Sequence, residues 1–163
     1  MRTRLNNDID NIQPWHYSAF EWNQFGPQST KYEKMGAVRI SEACPVYNCH
    51  GLTFANRRTQ VEEAGEMTVA KILNDDGYQE VPEAQTKTGD VVVYYNDQGQ
   101  VEHSGLVVGR IVGSGLNVPE IWSKWGKGYE WRHPLRICPW NSMATKFYRM
   151  VKWKYEEVFK ANL

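Results

Sequence analysis

Gly89-Asp90-Val91-Val92-Val93-Tyr94-Tyr95 is followed by Asn96-Asp97-Gln98-Gly99 and then by Val101-Glu102-His103-Ser104-Gly105-Leu106-Val107-Val108-Gly109-Arg110-Ile111. A β-branched and aromatic run, a short segment of turn chemistry and a second Val-rich run make an antiparallel hairpin. Towards the C-terminus, Gly113-Ser114-Gly115 marks another turn. Val118 to Trp125 reads as a third strand and Phe147 to Trp153 as a fourth. Towards the N-terminus the pattern changes from strand to helix. Thr68 to Asp75 carries Val69, Ile72 and Leu73 on one helical face, with Gly77 as a stop. Cys49-His50-Gly51-Leu52-Thr53-Phe54-Ala55-Asn56-Arg57-Arg58-Thr59 reads as an earlier helix whose first turn holds the cysteine, because Pro45 keeps Cys44 extended and a loop leads into it. Helices first and antiparallel strands afterwards predict an α+β domain, one layer on another.

The 163 residues, with 41% hydrophobic content, suffice for one domain over 1–163 with a core of its own. Residues 1–35 show neither a 3.6 nor a 2 period and read as a wrapping segment with one short helix around His16 to Phe25. Nineteen Lys and Arg against nineteen Asp and Glu give zero net charge, which lacks the positive field a nucleic-acid partner selects. No window approaches the apolar run of a membrane span, and no apolar stretch follows Arg2 and Arg4. The expectation is a soluble chain without membrane partner or Sec-type signal, cytoplasmic or exported by another route.

Three cysteines, Cys44, Cys49 and Cys138, cannot all pair, so a free thiol is expected. Cysteine attacks as thiolate, and the start of a helix favours that form. Cys49 is therefore the candidate nucleophile, and its base must come from elsewhere in the fold. His103 has a rigid strand beneath it and small neighbours, Ser104 and Gly105, beside it. Cys44, Cys49 and His50 are too loosely spaced for a structural zinc site, and adjacent helical residues point about 100° apart. No metal and no cofactor is expected. Cys44 and Cys138 read as small hydrophobes or inert thiols, and Arg57-Arg58 as a charged patch on the first helix.

Asn48-Cys49-His50-Gly51-Leu52 resembles the Asp-Cys-Ser-Gly-Phe signature of NlpC/P60 cysteine peptidases. Thr88-Gly89-Asp90-Val91-Val92-Val93-Tyr94 and His103-Ser104-Gly105-Leu106-Val107-Val108-Gly109 are similar to that family's two following strands, and CHAP amidases share the order. The resemblance covers about residues 45–125 and implies a papain-like core. It implies a Cys49 thiolate attacking an amide carbonyl in a peptide or peptidoglycan-like substrate. His103 would take the thiol proton and return it to the leaving group, while the Cys49 backbone N–H helps hold the oxyanion. Tyr32 and Tyr47 lie upstream of the cysteine, where the family often places a second oxyanion donor, but neither has a distinctive context.

In the family a polar residue on the next strand fixes the imidazole. Here strand alternation puts Ile121 with Ser123 on one face and Glu120, Trp122 and Lys124 on the other. Ser123 is one candidate orienting residue, His133 on a following loop is another, and a dyad without either is the third. Asn48, Trp122 and Lys124 are candidates for binding substrate, Lys124 as a charge on the oxyanion side. The other readings are a thiol acyltransferase or lipid-ester hydrolase on the same fold, and a non-catalytic binding domain. An exported antibacterial effector of this kind would have an inhibitor or immunity protein as partner.

Overall fold

The computed structural model describes residues 1–19, 29–63, 67–113, 115–140 and 144–151. Its elements in chain order are β1 (Asn11–Ile12), α1 (Ser29–Lys34), β2 (Val38–Arg39), α2 (Cys49–Ala55), β3 (Gln60–Val61), α3 (Thr68–Asp75) and β4 (Tyr78–Val81). A single 3-10 turn at Glu83–Gln85 leads to β5 (Val91–Tyr95), β6 (Val101–Gly113), β7 (Leu116–Lys124), β8 (Glu130–Pro134) and β9 (Ala144–Met150). The architecture is a mixed one in which few, short helices accompany a mostly antiparallel sheet, the α+β class at its coarse level. The short helix expected around His16 to Phe25 lies largely outside the described residues.

Seven strands run in the order β2-β8-β7-β6-β5-β9-β4, and β1 pairs with β3 in a separate two-stranded sheet. The β5–β6 hairpin sits near the middle, with Val91 opposite Leu106 and Tyr94 opposite His103. Val91, Val92, Val93 and Tyr94 are all buried, which requires cover on both faces of β5. On one face, Val69 and Leu73 of α3 pack on Val91 and Val93, with Phe54 of α2 and Leu106 alongside. On the other, Val92, Tyr94, Val107, Ile121 and Phe147 meet Leu135 and Cys138 from the segment after β8. That segment is the lid on a face that would otherwise be wet.

Gly105 on β6 leaves no room for a side chain against β7. A Cβ there would lie 2.8 Å from Ile121 Cγ2 and 2.9 Å from Ser123 Cβ, so only glycine lets the strands lie this close with those side chains above them. Asp90 precedes β5 and receives both Nε and Nη2 of Arg149 from β9, at 2.8 and 2.7 Å. The N-terminal stretch is fastened by Thr3 and Asn7, whose side chains donate to Asp75 at the end of α3 at 2.9 and 2.8 Å. Two readings are corrected. His133 is a strand residue, on β8, and Arg57 lies beyond α2 in a left-handed conformation with φ 64°.

Candidate active site

Cys49 is the first residue of α2. Asn48 caps that helix, its Oδ1 accepting from Gly51 N at 2.9 Å and from Val61 N at 3.1 Å while its Nδ2 donates to Val61 O at 2.9 Å. Asn48 thus ties α2 to β3, and its polar atoms are engaged within the chain, which leaves it poorly suited to bind substrate. All three cysteines are free thiols. The Cys49 sulfur is buried, and burial pushes the thiol up to about 11. The backbone N–H groups of Ser104, His50 and Cys49 itself and the charge of Lys124 pull the other way.

Ser104 belongs to β6, and its side chain faces α2. Its Oγ lies 2.8 Å from His50 Nδ1 and donates to Thr53 Oγ1 at 3.0 Å, and Thr53 in turn donates to Cys49 O at 2.9 Å. Because each hydroxyl passes its proton onward, His50 Nδ1 is the donor that starts the chain. His50 is buried, and burial pushes its imidazole down to about 4, so it is neutral at pH 7.

His103 immediately precedes Ser104, so alternation turns its ring to the opposite face of β6. There it stacks on Trp140 with centroids 4.3 Å apart and tilts against Tyr94 at 5.3 Å. It is fully buried, and neither ring nitrogen has a hydrogen-bond partner among the described residues. The Cys49 thiol and the His103 imidazole are therefore not hydrogen-bonded. Burial, with His50 and His133 nearby, pushes the His103 ring well below the ordinary histidine range.

Ser123 lies opposite Gly105, on the same sheet face as His103, yet its bonds go elsewhere. Its Oγ is 2.9 Å from His133 Nε2 and accepts from Trp125 Nε1 at 3.1 Å. His133 Nδ1 faces Pro134 O at 2.9 Å, and a carbonyl only accepts, so Nδ1 carries the proton and Nε2 receives the Ser123 hydroxyl. The two candidates for the orienting role are thus paired with each other, and neither bonds to His103. Burial pushes His133 down to about 4.

Lys124 faces α2, as alternation predicts, but it is fully buried rather than solvated. Its Nζ donates to Gly128 O at 2.5 Å and sits 4.3 Å from the centroid of the Tyr47 ring. Burial pushes the ammonium down to about 8. Opposite Lys124 in register stands Glu130, a residue the sequence reading passed over. Its carboxylate accepts from Arg57 Nε at 2.6 Å, Arg57 Nη2 at 3.0 Å, Tyr47 Oη at 2.5 Å and Trp122 Nε1 at 2.9 Å. Burial pushes that carboxyl up, but the bonds from Arg57, Tyr47 and Trp122 outweigh it and hold it below the usual carboxylate range. The only hint in sequence was an acidic residue in an aromatic context, Tyr129-Glu130-Trp131. Tyr47 gives its hydroxyl to this carboxylate, so it does not serve as an oxyanion donor in this state, while Trp122 is half-buried under the Arg57 guanidinium at 4.5 Å.

Among the described residues no group of three or more His, Cys, Asp or Glu side chains is arranged to hold a metal ion, and no helix is long and apolar enough to cross a membrane. Comparison of the chain with protein-family models, with curated proteins and with solved structures finds no match.

Proposed function

We propose that the chain is a cysteine hydrolase with a papain-like core of the NlpC/P60 type, cleaving an amide bond in a peptide or peptidoglycan-like substrate. The observation that carries this reading is the meeting of α2 with β6: the Cys49 sulfur is turned to the backbone N–H of Ser104, and the preceding residue, His103, has a buried imidazole with no partner. A buried polar side chain without a partner is costly, and such groups concentrate where chemistry needs them. In the reaction His103 takes the thiol proton and the sulfur adds to the carbonyl carbon. The N–H groups around the sulfur hold the oxyanion, and the imidazolium returns its proton to the departing amine. Water then cleaves the thioester and restores the thiol. His103 and Ser104 turn their side chains to opposite faces of β6, so on this reading turnover includes a local twist of β6 that takes the His103 ring off Trp140 and round to the α2 side.

The test is digestion of peptidoglycan stem peptides and of a synthetic peptide library, with products identified by mass spectrometry. Amide cleavage by the unmodified protein that disappears in both Cys49→Ser and His103→Ala is expected; cleavage that survives either substitution sinks the assignment. Transfer of the acyl group to an added amine in preference to water would make the enzyme a transferase.

One observation favours a second reading, a binding domain without catalysis. The thiol and imidazole are both buried in their neutral forms and are not bonded to each other. Alkylation of Cys49 at neutral pH no faster than that of a free model thiol, together with no cleavage, would favour this reading over the first.

A further inference from the structure

His103 faces Tyr94 across the β5–β6 ladder, and the next pair is Val101 with Tyr95. Glu102 is therefore one residue too many: it has no counterpart on β5, and the hairpin carries a β-bulge immediately before the imidazole. On the other side of β6 the register with β7 begins only at Gly105. Ser104, opposite Val93, is held on the α2 side by His50 and Thr53 at 2.8 and 3.0 Å. His103 is held on the opposite side by ring contacts with Trp140 and Tyr94, and its nitrogens are bonded to none of the described residues. The resting register thus satisfies the hydroxyl and leaves the imidazole unsatisfied, a cost that a different register relieves.

We propose that Glu102 is a positioning residue for His103: its bulge migrates by one residue along β6 and so turns the imidazole to the Cys49 side. This specifies the twist of β6 and rests on the Cys49–His103 reading above. In the shifted register Glu102 stands opposite Tyr94, and His103 becomes the extra residue. Ser104 keeps Val93 as its partner and keeps its bonds to α2, so the ladder beyond it, Val92 with Gly105 and Val91 with Leu106, is undisturbed. Alternation counted from Glu102 puts the imidazole on the Ser104 face, where α2 begins with Cys49. The slip exchanges one pairing of the β5 ladder and none of the β7 ladder. What opposes it is the half-buried Glu102, whose carboxylate would take the place the ring vacates beside Tyr94.

The experiment reads which face position 103 visits. His103→Cys in a Cys44→Ser background places a thiol between two others, Cys49 on the α2 side and Cys138 on the Tyr94 side. Oxidised glutathione is the oxidant. One thiolate attacks its disulfide and expels a glutathione, and a second thiolate attacks the protein sulfur of the mixed disulfide and expels another. The protein loses two protons and two electrons, and the oxidised glutathione becomes two reduced molecules. Peptide mapping by mass spectrometry then identifies the partner, and a disulfide with Cys49 is expected. Deleting Glu102 from the same protein leaves Val101 and position 103 in unbroken alternation, with no spare residue to migrate. The rate of linkage to Cys49 is then expected to fall about tenfold, one decade in the two-register equilibrium. Linkage to Cys138 alone, linkage to neither, or equal linkage to Cys49 with and without Glu102 overturns the proposal.

Should the deletion fail to fold, Glu102→Leu in the same background decides. An apolar side chain enters the Tyr94 face more readily than a carboxylate, so linkage to Cys49 is expected to form about threefold faster or more. An unchanged or slower rate overturns the proposal. Neither readout needs turnover. Linkage to Cys49 without amide cleavage by the unmodified protein keeps the register shift and removes the hydrolase reading, while amide cleavage with position 103 linked only to Cys138 does the reverse.

Discussion

Ser123 shows how one hydroxyl can hold a buried aromatic face together. It gives its proton to His133 Nε2 and takes one from Trp125 Nε1, at 2.9 and 3.1 Å, with all three residues buried. Ser123→Ala strips both groups of their partner at once. Each stranded buried group costs about 1–3 kcal/mol, so equilibrium urea unfolding should show a loss at the upper end of that range or beyond. If Ser123 is instead a catalytic residue poised for His103, the same variant would lose activity with little loss of stability. Gly105→Ala is expected to destabilise by about 1–3 kcal/mol through overpacking. Its new methyl meets Ile121, Ser123 and the Trp122 carbonyl, which strands paired on both sides cannot easily yield to.

Among the elements, α2 is positioned from both ends by a single carboxylate. Glu130 on β8 accepts from Tyr47, just before the helix, and from Arg57, just after it. Glu130→Ala should lower stability by about 1.5–3 kcal/mol, the range for hydrogen bonds to a charged group, since Arg57 is half-exposed and its share is screened by solvent. Denaturant unfolding measures the loss, and Arg57→Met should cost less because Tyr47 and Trp122 still satisfy the carboxylate.

At this scale the sequence was most legible where pattern and turn chemistry agree. The helix at Thr68–Asp75 falls on its expected residues, and the hairpin of β5 and β6 forms around its Asn96–Gly99 turn. Strand β8 was missed because Glu130-Trp131-Arg132-His133-Pro134 mixes charged, aromatic and proline residues. Its burial comes from neighbours β7 and β2 rather than from its own alternation. The face of Ser123 and the opposite face of Lys124 followed from the period of two. That Ser123 would bond to His133, or that Lys124 would be sealed under Tyr47, did not, because those outcomes depend on β8 and on the Tyr47 segment, far away in sequence. The orphaned state of His103 was equally beyond reach, since the stack on Trp140 comes from the segment after β8.

For the molecule as a whole, three buried neutral histidines set a common acid response. Burial lowers the imidazoles of His50 and His133 to about 4 and that of His103 well below its ordinary value. Above the unfolded histidine value near 6.5, both states are neutral and nothing is lost. As pH falls below it, the unfolded chain binds protons that the folded one refuses, so stability declines progressively towards about pH 4, where His50 and His133 begin to titrate in the folded state as well. The unfolding free energy should therefore drop between pH 6.5 and 4 with a slope approaching three protons. A replacement such as His50→Gln should flatten it by about one. Stability independent of pH across that window would mean that the three rings are hydrated or charged in the native protein.

The strand order carries a consequence for synthesis on the ribosome. β9 lies between β5 and β4, so β4, made some sixty residues earlier, has no place in the main sheet until β9 arrives. Until then one backbone edge of β5, an unbroken Val-Val-Val-Tyr-Tyr run, is bare. A nascent polypeptide stalled before Ala144 would present that edge to any neighbour, which makes the interval before β9 emerges the one in which a chaperone is most needed.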